Sequence, residues 1–120
     1  FLAALALTAS CFAGGCSKGE SLGTAEFDKQ IAEGVVLVDF WAPWCAPCRA
    51  QGPILADVAE EVKEFAKVVK LNVDDEAEVV GEYGIRSIPT LIIFKDGGEQ
   101  KRFQGVTDAD TLVSALKAAR

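Results

Sequence analysis

The chain contains no histidine. That removes the commonest general base and the commonest metal ligand at once. Any proton transfer near neutral pH then falls to a perturbed carboxylate, a cysteine or water. An excess of basic residues is missing too. Twelve Lys and Arg stand against eighteen Asp and Glu, for a formal charge of −6 and an isoelectric point near 4.6. This argues against nucleic-acid binding, which needs basic patches. No internal repeat occurs, and past the N-terminal stretch there is no low-complexity segment. At 120 residues there is room for one domain with a modest core, and the half-apolar, quarter-charged composition is that of an ordinary soluble globular protein.

Cysteine is present, in two unlike groups. Cys11 and Cys16 lie in an apolar, small-residue N-terminal stretch, whereas Cys45 and Cys48 lie in the body of the chain. A zinc site built from all four would need that stretch folded against the domain, and the usual second short-spaced pair is missing. No metal is expected. Cys45 and Cys48 come soon after the apolar run Val35-Val36-Leu37-Val38-Asp39-Phe40-Trp41 and lead into a helical pattern. The pair is therefore expected where a buried strand hands over to a helix N-terminus. Helix geometry separates Cα(i) and Cα(i+3) by roughly 5 Å, inside the window of about 4.4–6.8 Å that a disulfide accepts. The helix end also sets partial positive charge beside the first sulfur and favours its thiolate. A solitary CxxC can equally be a structural disulfide or half a metal site. Its place at a strand–helix junction favours reversible dithiol–disulfide exchange.

Residues Phe1 to Gly15 are apolar and small, with no charge before Lys18. Fifteen residues are short for a membrane-spanning helix, which needs about twenty, and match the apolar core of an export signal better. The chain begins without methionine and without a basic n-region, so it is expected to start inside a longer precursor. Ala13-Gly14-Gly15-Cys16 resembles the lipobox of bacterial lipoproteins, with Ala13 where leucine is usual. That likeness implies lipidation of Cys16 and membrane anchoring through the N-terminus. The expected organisation is a leader over 1–16 and a domain over 17–120. The expected location is exported, periplasmic or membrane-anchored and extracytoplasmic, with a cytoplasmic protein bearing a tail as the alternative.

Along the domain, Ser17 to Gly23 reads as a tether or weak edge strand. Thr24 is expected to cap a helix that carries Phe27 and Ile31 and ends at Gly34. Val35 to Trp41, with little alternation, reads as a central strand buried on both faces. Ile54, Leu55, Val58, Val62 and Phe65 mark a helix from Cys48 that Pro53 should kink. A strand over Val68 to Val73 follows, then a short helix capped by Asp74 or Asp75 and ending at Tyr83-Gly84. Asp96-Gly97-Gly98 between Thr90–Phe94 and Lys101–Gln104 is a hairpin signal. Thr107-Asp108-Ala109-Asp110 reads as a capping box before a closing helix with Leu112, Val113 and Leu116. Strands alternating with helices imply parallel pairing, to which the hairpin adds an antiparallel edge. Asp39 stands between Val38 and Phe40 in an apolar run. Burial without a partner raises a carboxyl pKa toward the range useful for general acid–base work. An ordinary strand-edge carboxylate is the alternative reading. Lys70 is expected either to tune Asp39 or to be solvated.

With these elements placed, Val38-Asp39-Phe40-Trp41-Ala42-Pro43-Trp44-Cys45-Ala46-Pro47-Cys48 closely resembles the active-site segment of the thioredoxin family. The likeness continues through Lys70-Leu71-Asn72-Val73-Asp74, Tyr83-Gly84-Ile85-Arg86-Ser87-Ile88-Pro89-Thr90, Phe94-Lys95-Asp96-Gly97 and Gly105, in order from Phe27 to the C-terminus. It implies a single-domain α/β thioredoxin fold, a central mixed β-sheet flanked by helices. It also implies protein-disulfide reduction through a reversible Cys45–Cys48 disulfide with no bound cofactor. Cys45 then is the attacking thiolate, Cys48 the resolving thiol, and Asp39 the buried acid that moves a proton to or from Cys48. Pro89 matches the family's cis-proline. Trp44, Ala46, Pro47, Ile88 and Pro89 are the expected client-binding residues. Ala46, where glycine is common, bears on the redox potential, and Ser87, again at a frequent glycine, on substrate fit. The implied partners are disulfide-containing client proteins and a donor, either thioredoxin reductase or a transmembrane thiol relay, for a chain expected to act as a monomer. An exported thiol reductase dedicated to one client and a thioredoxin-fold binding module are the rival readings.

Overall fold

The structure is a computed structural model that describes residues 23–120. Its elements are α1 (Gly23–Ile31), β1 (Val35–Trp41), α2 (Ala46–Val62), β2 (Ala66–Asn72), α3 (Ala77–Tyr83), β3 (Thr90–Lys95), β4 (Gly98–Gln104) and α4 (Ala109–Ala118). The strands form one sheet in the order β2-β1-β3-β4. The expected leader and Cys16 lie outside the described residues, as does most of the expected tether; Gly23 opens α1.

β1 is central because nearly every residue in it has somewhere apolar to go: Val35 through Phe40 are all buried. Successive strand residues face opposite sides, so β1 feeds two cores. On one side Val35 and Leu37 join Leu91 and Ile93 of β3 against Leu55, Val58 and Val62 of α2 and Leu112, Val113 and Leu116 of α4. On the other, Val36, Val38 and Phe40 join Leu71, Ile92 and Phe94 against Phe27 and Ile31 of α1 and Val79 of α3.

The pairing differs from a parallel sheet with an antiparallel edge. β1 pairs parallel with β2, but β3 enters beside β1 antiparallel, and of the two hairpin strands only β4 lies at an edge. The apolar run of β3, buried from Thr90 to Phe94, belongs inside the sheet, whereas the polar β4 can face water. The hairpin turns through Asp96 (φ 48) and Gly97 (φ 88), the paired left-handed residues of a type I′ connection. The register of the hairpin shifts at a bulge between Ile93 and Phe94.

Several caps also fall elsewhere than expected. Thr24 lies inside α1, which ends at Ile31 ahead of Gly34. Glu76, not Asp74 or Asp75, is the N-cap of α3. Asp108, not Thr107, caps α4, its carboxylate accepting the Thr111 N–H at 3.1 Å. A Ser, Thr or Asp one residue out of register fits the local capping pattern as well as the true cap does, and packing of the helix chooses between them. α2 begins at Ala46, two residues earlier than expected, and runs on through Pro53 to Val62. β2 likewise begins at Ala66, two residues before Val68.

The functional consequence of this topology is local. Phe40, near the end of β1, pairs with Thr90, the first residue of β3. The segment leaving β1 toward the cysteines and the segment Ser87–Pro89 that precedes β3 therefore emerge at the same edge of the sheet.

Candidate active site

Cys45 is the N-cap of α2, with extended backbone (φ −95, ψ 109), and Ala46 and Pro47 form the opening turn. Proline is tolerated there because its missing N–H would have had no partner in the helix. The Cys48 N–H points back to Cys45 Sγ at 3.2 Å, and the Arg49 N–H donates to the Cys45 carbonyl at 3.1 Å. Cys45 and Cys48 form a disulfide with Cα atoms 5.2 Å apart, the separation expected of a first-turn pair. The same helix end that closes the disulfide offers its N–H and its partial positive charge to a Cys45 thiolate once the bond is reduced. Both sulfurs are shielded, packed with Ala42 against Trp41, Val73 and Ile88.

The wall opposite the sulfurs is the segment before β3. Ile88 is half-buried, Pro89 is buried and the bond between them is cis. The Ile88 carbonyl lies 3.8 Å from Cys45 Sγ. The Thr90 hydroxyl donates to the Ser87 carbonyl at 2.6 Å, and the Gly105 N–H donates to the Pro89 carbonyl at 2.8 Å. Trp44 is two-thirds exposed (67 %) beside the disulfide, its indole N–H held by Asp74 Oδ2 at 2.9 Å. Ala46 and Pro47 are exposed. A shallow apolar groove of about 160 Å³ runs between Trp44 and Ile88, floored by Val73, Val80 and Ile85, with Arg86 and Ser87 also lining it. A wider cavity of about 520 Å³ opens at the other end of β1, among Lys29, Lys63, Phe65 and Lys67, away from the sulfurs.

Asp39 is fully buried (0 % exposed), and neither carboxylate oxygen has a hydrogen-bond partner among the described residues. By strand alternation it faces the α2 side, as Val35 and Leu37 do, level with Leu91 on one neighbouring strand and Lys70 on the other. Burial pushes its pKa up from 3.8 to about 6, against the opposing pull of the Lys70 charge. Lys70 makes no ion pair with it; its ammonium rests 4.5 Å over the Trp41 ring. Lys70 is exposed to solvent, and from there its charge still pulls the Asp39 pKa down.

One buried polar residue at this site was missed from sequence. Gln51, one turn after Cys48, is fully buried and hydrogen-bonds the backbone of Thr107. The signal that could have found it is the stripe Cys48, Gln51, Leu55, Val58, Val62 on α2, in which glutamine is the one uncharged polar intruder. Among the described residues, no group of three or more Cys, Asp or Glu side chains could hold a metal ion.

The family model described as Thioredoxin matches residues 19–118. The thioredoxin of Pyropia yezoensis is 53% identical over 81 residues, covering 68% of this chain and 76% of that protein. Thioredoxin 1 of Synechococcus elongatus is 46% identical over 94 residues, covering 77% and 88%. Among solved structures, the thioredoxin of Fasciola hepatica superposes with a TM-score of 0.74 at 31% identity, covering 84% of this chain and 99% of that one.

Proposed function

The chain belongs to the thioredoxin family, and on that premise we propose the part each residue takes in protein-disulfide reduction. Thioredoxins are thiol-disulfide oxidoreductases. They act on disulfide-containing clients, typically with thioredoxin reductase, and need no cofactor because the disulfide itself carries the electrons. The assignment of roles is supported above all by the Cys45–Cys48 disulfide at the first turn of α2, set against Ile88-Pro89.

In the reduced protein, the Cys45 thiolate attacks one sulfur of a client disulfide. A bond forms between Cys45 Sγ and that sulfur, and the client's other sulfur leaves as a thiolate. Asp39 then takes the proton of Cys48, and the new thiolate attacks Cys45 Sγ. The second client sulfur leaves, and the Cys45–Cys48 bond re-forms. Two electrons reach the client, and its two sulfurs become thiols by taking up the proton that Cys48 gave to Asp39 and, from solvent, the proton that Cys45 gave up on ionising. A pKa of about 6 suits Asp39 to this task, since it is mostly ionised at pH 7 yet basic enough to accept a proton. Trp44, Ala46, Pro47, Ile88 and Pro89 form the rim on which the client lies.

For residues 1–16 we propose export, with Cys16 lipidated as the anchor. The support is the apolar, uncharged composition ending in Ala13-Gly14-Gly15-Cys16. A transmembrane thiol relay would then regenerate the dithiol; in the cytoplasm thioredoxin reductase would. The mass of the mature N-terminus decides between them, a diacylglyceryl cysteine being the expected result.

Insulin-disulfide reduction tests the activity: the wild type should precipitate the insulin B chain, and Cys45→Ser/Cys48→Ser should not. Alkylation of the reduced protein at pH 7 tests the roles. Cys45 should be labelled before Cys48, and reversed labelling would exchange attacker and resolver.

A further inference from the structure

Gln51 makes an unusual use of a core position. An apolar side chain would fit the buried stripe of α2 without further demands, whereas a buried amide costs free energy unless its polar atoms are satisfied. Both ends of this one are. Its Oε1 accepts the Thr107 N–H at 2.8 Å and its Nε2 donates to the Thr107 carbonyl at 2.9 Å, across a sequence separation of 56 residues. The side chain thus pairs with a loop backbone as a neighbouring strand would.

What that pairing fixes follows from where the sheet ends. The ladder between β1 and β3 stops at Phe40–Thr90, and the ladder between β3 and β4 stops at Thr90–Gln104. Residues 87–89 and 105–107 lie beyond the last rung, so strand pairing does not hold them. Other bonds do. The Thr107 hydroxyl donates to the Gly105 carbonyl at 3.0 Å, and the Gly105 N–H donates to the Pro89 carbonyl at 2.8 Å. The Ile88 carbonyl in turn faces Cys45 Sγ. With the disulfide and the single helical turn from Cys48 to Gln51, these contacts close a ring around the reacting sulfurs.

We propose that Gln51 is a positioning residue for disulfide exchange: through Thr107 and Gly105 it holds the Ile88–Pro89 wall at a fixed offset from the helix that carries both cysteines. Gln51 does not touch the client. It sets the slot that an extended client segment must enter between the wall and Cys45. The inference rests on the reductase function, so the experiment uses two substrates that separate the two claims.

One substrate is a short peptide whose cysteine is in mixed disulfide with a thionitrobenzoate chromophore; the other is the symmetric thionitrobenzoate disulfide, which has no backbone to align. Gln51→Met keeps the length of the side chain and loses both hydrogen bonds. Two bonds of ordinary strength should lower the preference for the peptide over the small disulfide by about tenfold, read as a rise in KM for the peptide and not as a fall in its kcat. Amide exchange at Thr107 and Gly105 should accelerate in the same variant. Where Gln51→Met does not fold, Gln51→Asn, whose amide is one methylene too short to reach Thr107, carries the test with the same expectation. An unchanged peptide KM in the folded variant, or an equal loss on both substrates, overturns the proposal. A wild type inactive on both substrates would overturn the reductase function and this inference with it.

Discussion

The two layers that flank the sheet are built on different terms. On the α1/α3 side the core cluster is apolar, with the buried Thr90 on the same strand face, and Phe27, Phe40, Tyr83 and Phe94 form a cluster of tilted and edge-to-face rings with centroids 5.5–6.4 Å apart. On the α2/α4 side the core is aliphatic, and a buried carboxylate, Asp39, and a buried amide, Gln51, lie on that side, while the two cysteines form a separate cluster with Ala42. The same strand supplies both layers: Val38 and Phe40 point into the first, Asp39 between them toward the second. Buried aromatic area is a net gain with little to satisfy. A buried, unpartnered carboxylate is a net cost. Burial of Asp39 therefore costs the α2/α4 layer part of the stability its aliphatic packing gives, whereas Gln51, hydrogen-bonded at both ends of its amide, carries no such penalty.

Truncation on the apolar side should give the largest effect. Phe94→Ala removes a fully buried ring from the cluster, and denaturant titration should show a loss of about 3–5 kcal/mol. Disulfide reduction per folded molecule should not change. A large activity loss in the folded fraction would break the division between the layers.

Asp39→Asn should act in the opposite sense on both measures. The folded pKa of Asp39 lies above its unfolded value, so Asp39 costs the fold least below about pH 4, where it is protonated in both states. Its contribution to stability falls as the pH rises to about 6 and changes little beyond. At pH 7 the deficit is about 3 kcal/mol, and the neutral amide escapes it. Denaturation curves of the two proteins should coincide near pH 3, diverge through pH 4–6 and stay apart above, with the variant the more stable and the slower in turnover. A constant difference across this range would mean that Asp39 titrates as an exposed carboxylate does.

Lys70→Met should sharpen the same comparison by a smaller amount. Removing the one charge that lowers the Asp39 pKa should move its titration above about 6, followed by the carboxyl carbon resonance and by the pH profile of turnover. A downward move would contradict the electrostatic role given to Lys70.

Ala46, exposed in the first turn of α2, should matter least. Its helix preference over glycine, about 0.8–1 kcal/mol in a helix interior and less at an end, acts in both oxidation states. Ala46→Gly should therefore shift the redox potential by no more than about 20 mV against glutathione. A larger shift would mean that the opening turn reorganises on reduction.

What could be read from the sequence is what depends on near neighbours. A run of buried β-branched residues makes Val35–Trp41 a central strand whatever stands beside it. Cys45-Ala46-Pro47-Cys48 closes a disulfide because one helical turn sets the spacing, and Asp96-Gly97 turns because both residues tolerate positive φ. Asp39, a lone carboxylate in an apolar run, already implied a raised pKa. The rest depended on which remote segments meet. Nothing local puts β3 between β1 and β4, yet that order brings Pro89 to Cys45. Nothing local gives Gln51 to Thr107, Asp74 to the Trp44 indole, or Lys70 to the Trp41 ring in place of an ion pair with Asp39. Nor does local pattern choose Glu76 over Asp74 and Asp75, or Asp108 over Thr107, as a cap. Periodicity and turn chemistry are properties of a few consecutive residues, so the sequence carries them openly. The contacts between distant segments are decided by the packing of whole helices and strands, in which many weak interactions are satisfied together, and these set the Ile88–Pro89 wall against Cys45, the Gln51–Thr107 pairing and the isolation of Asp39.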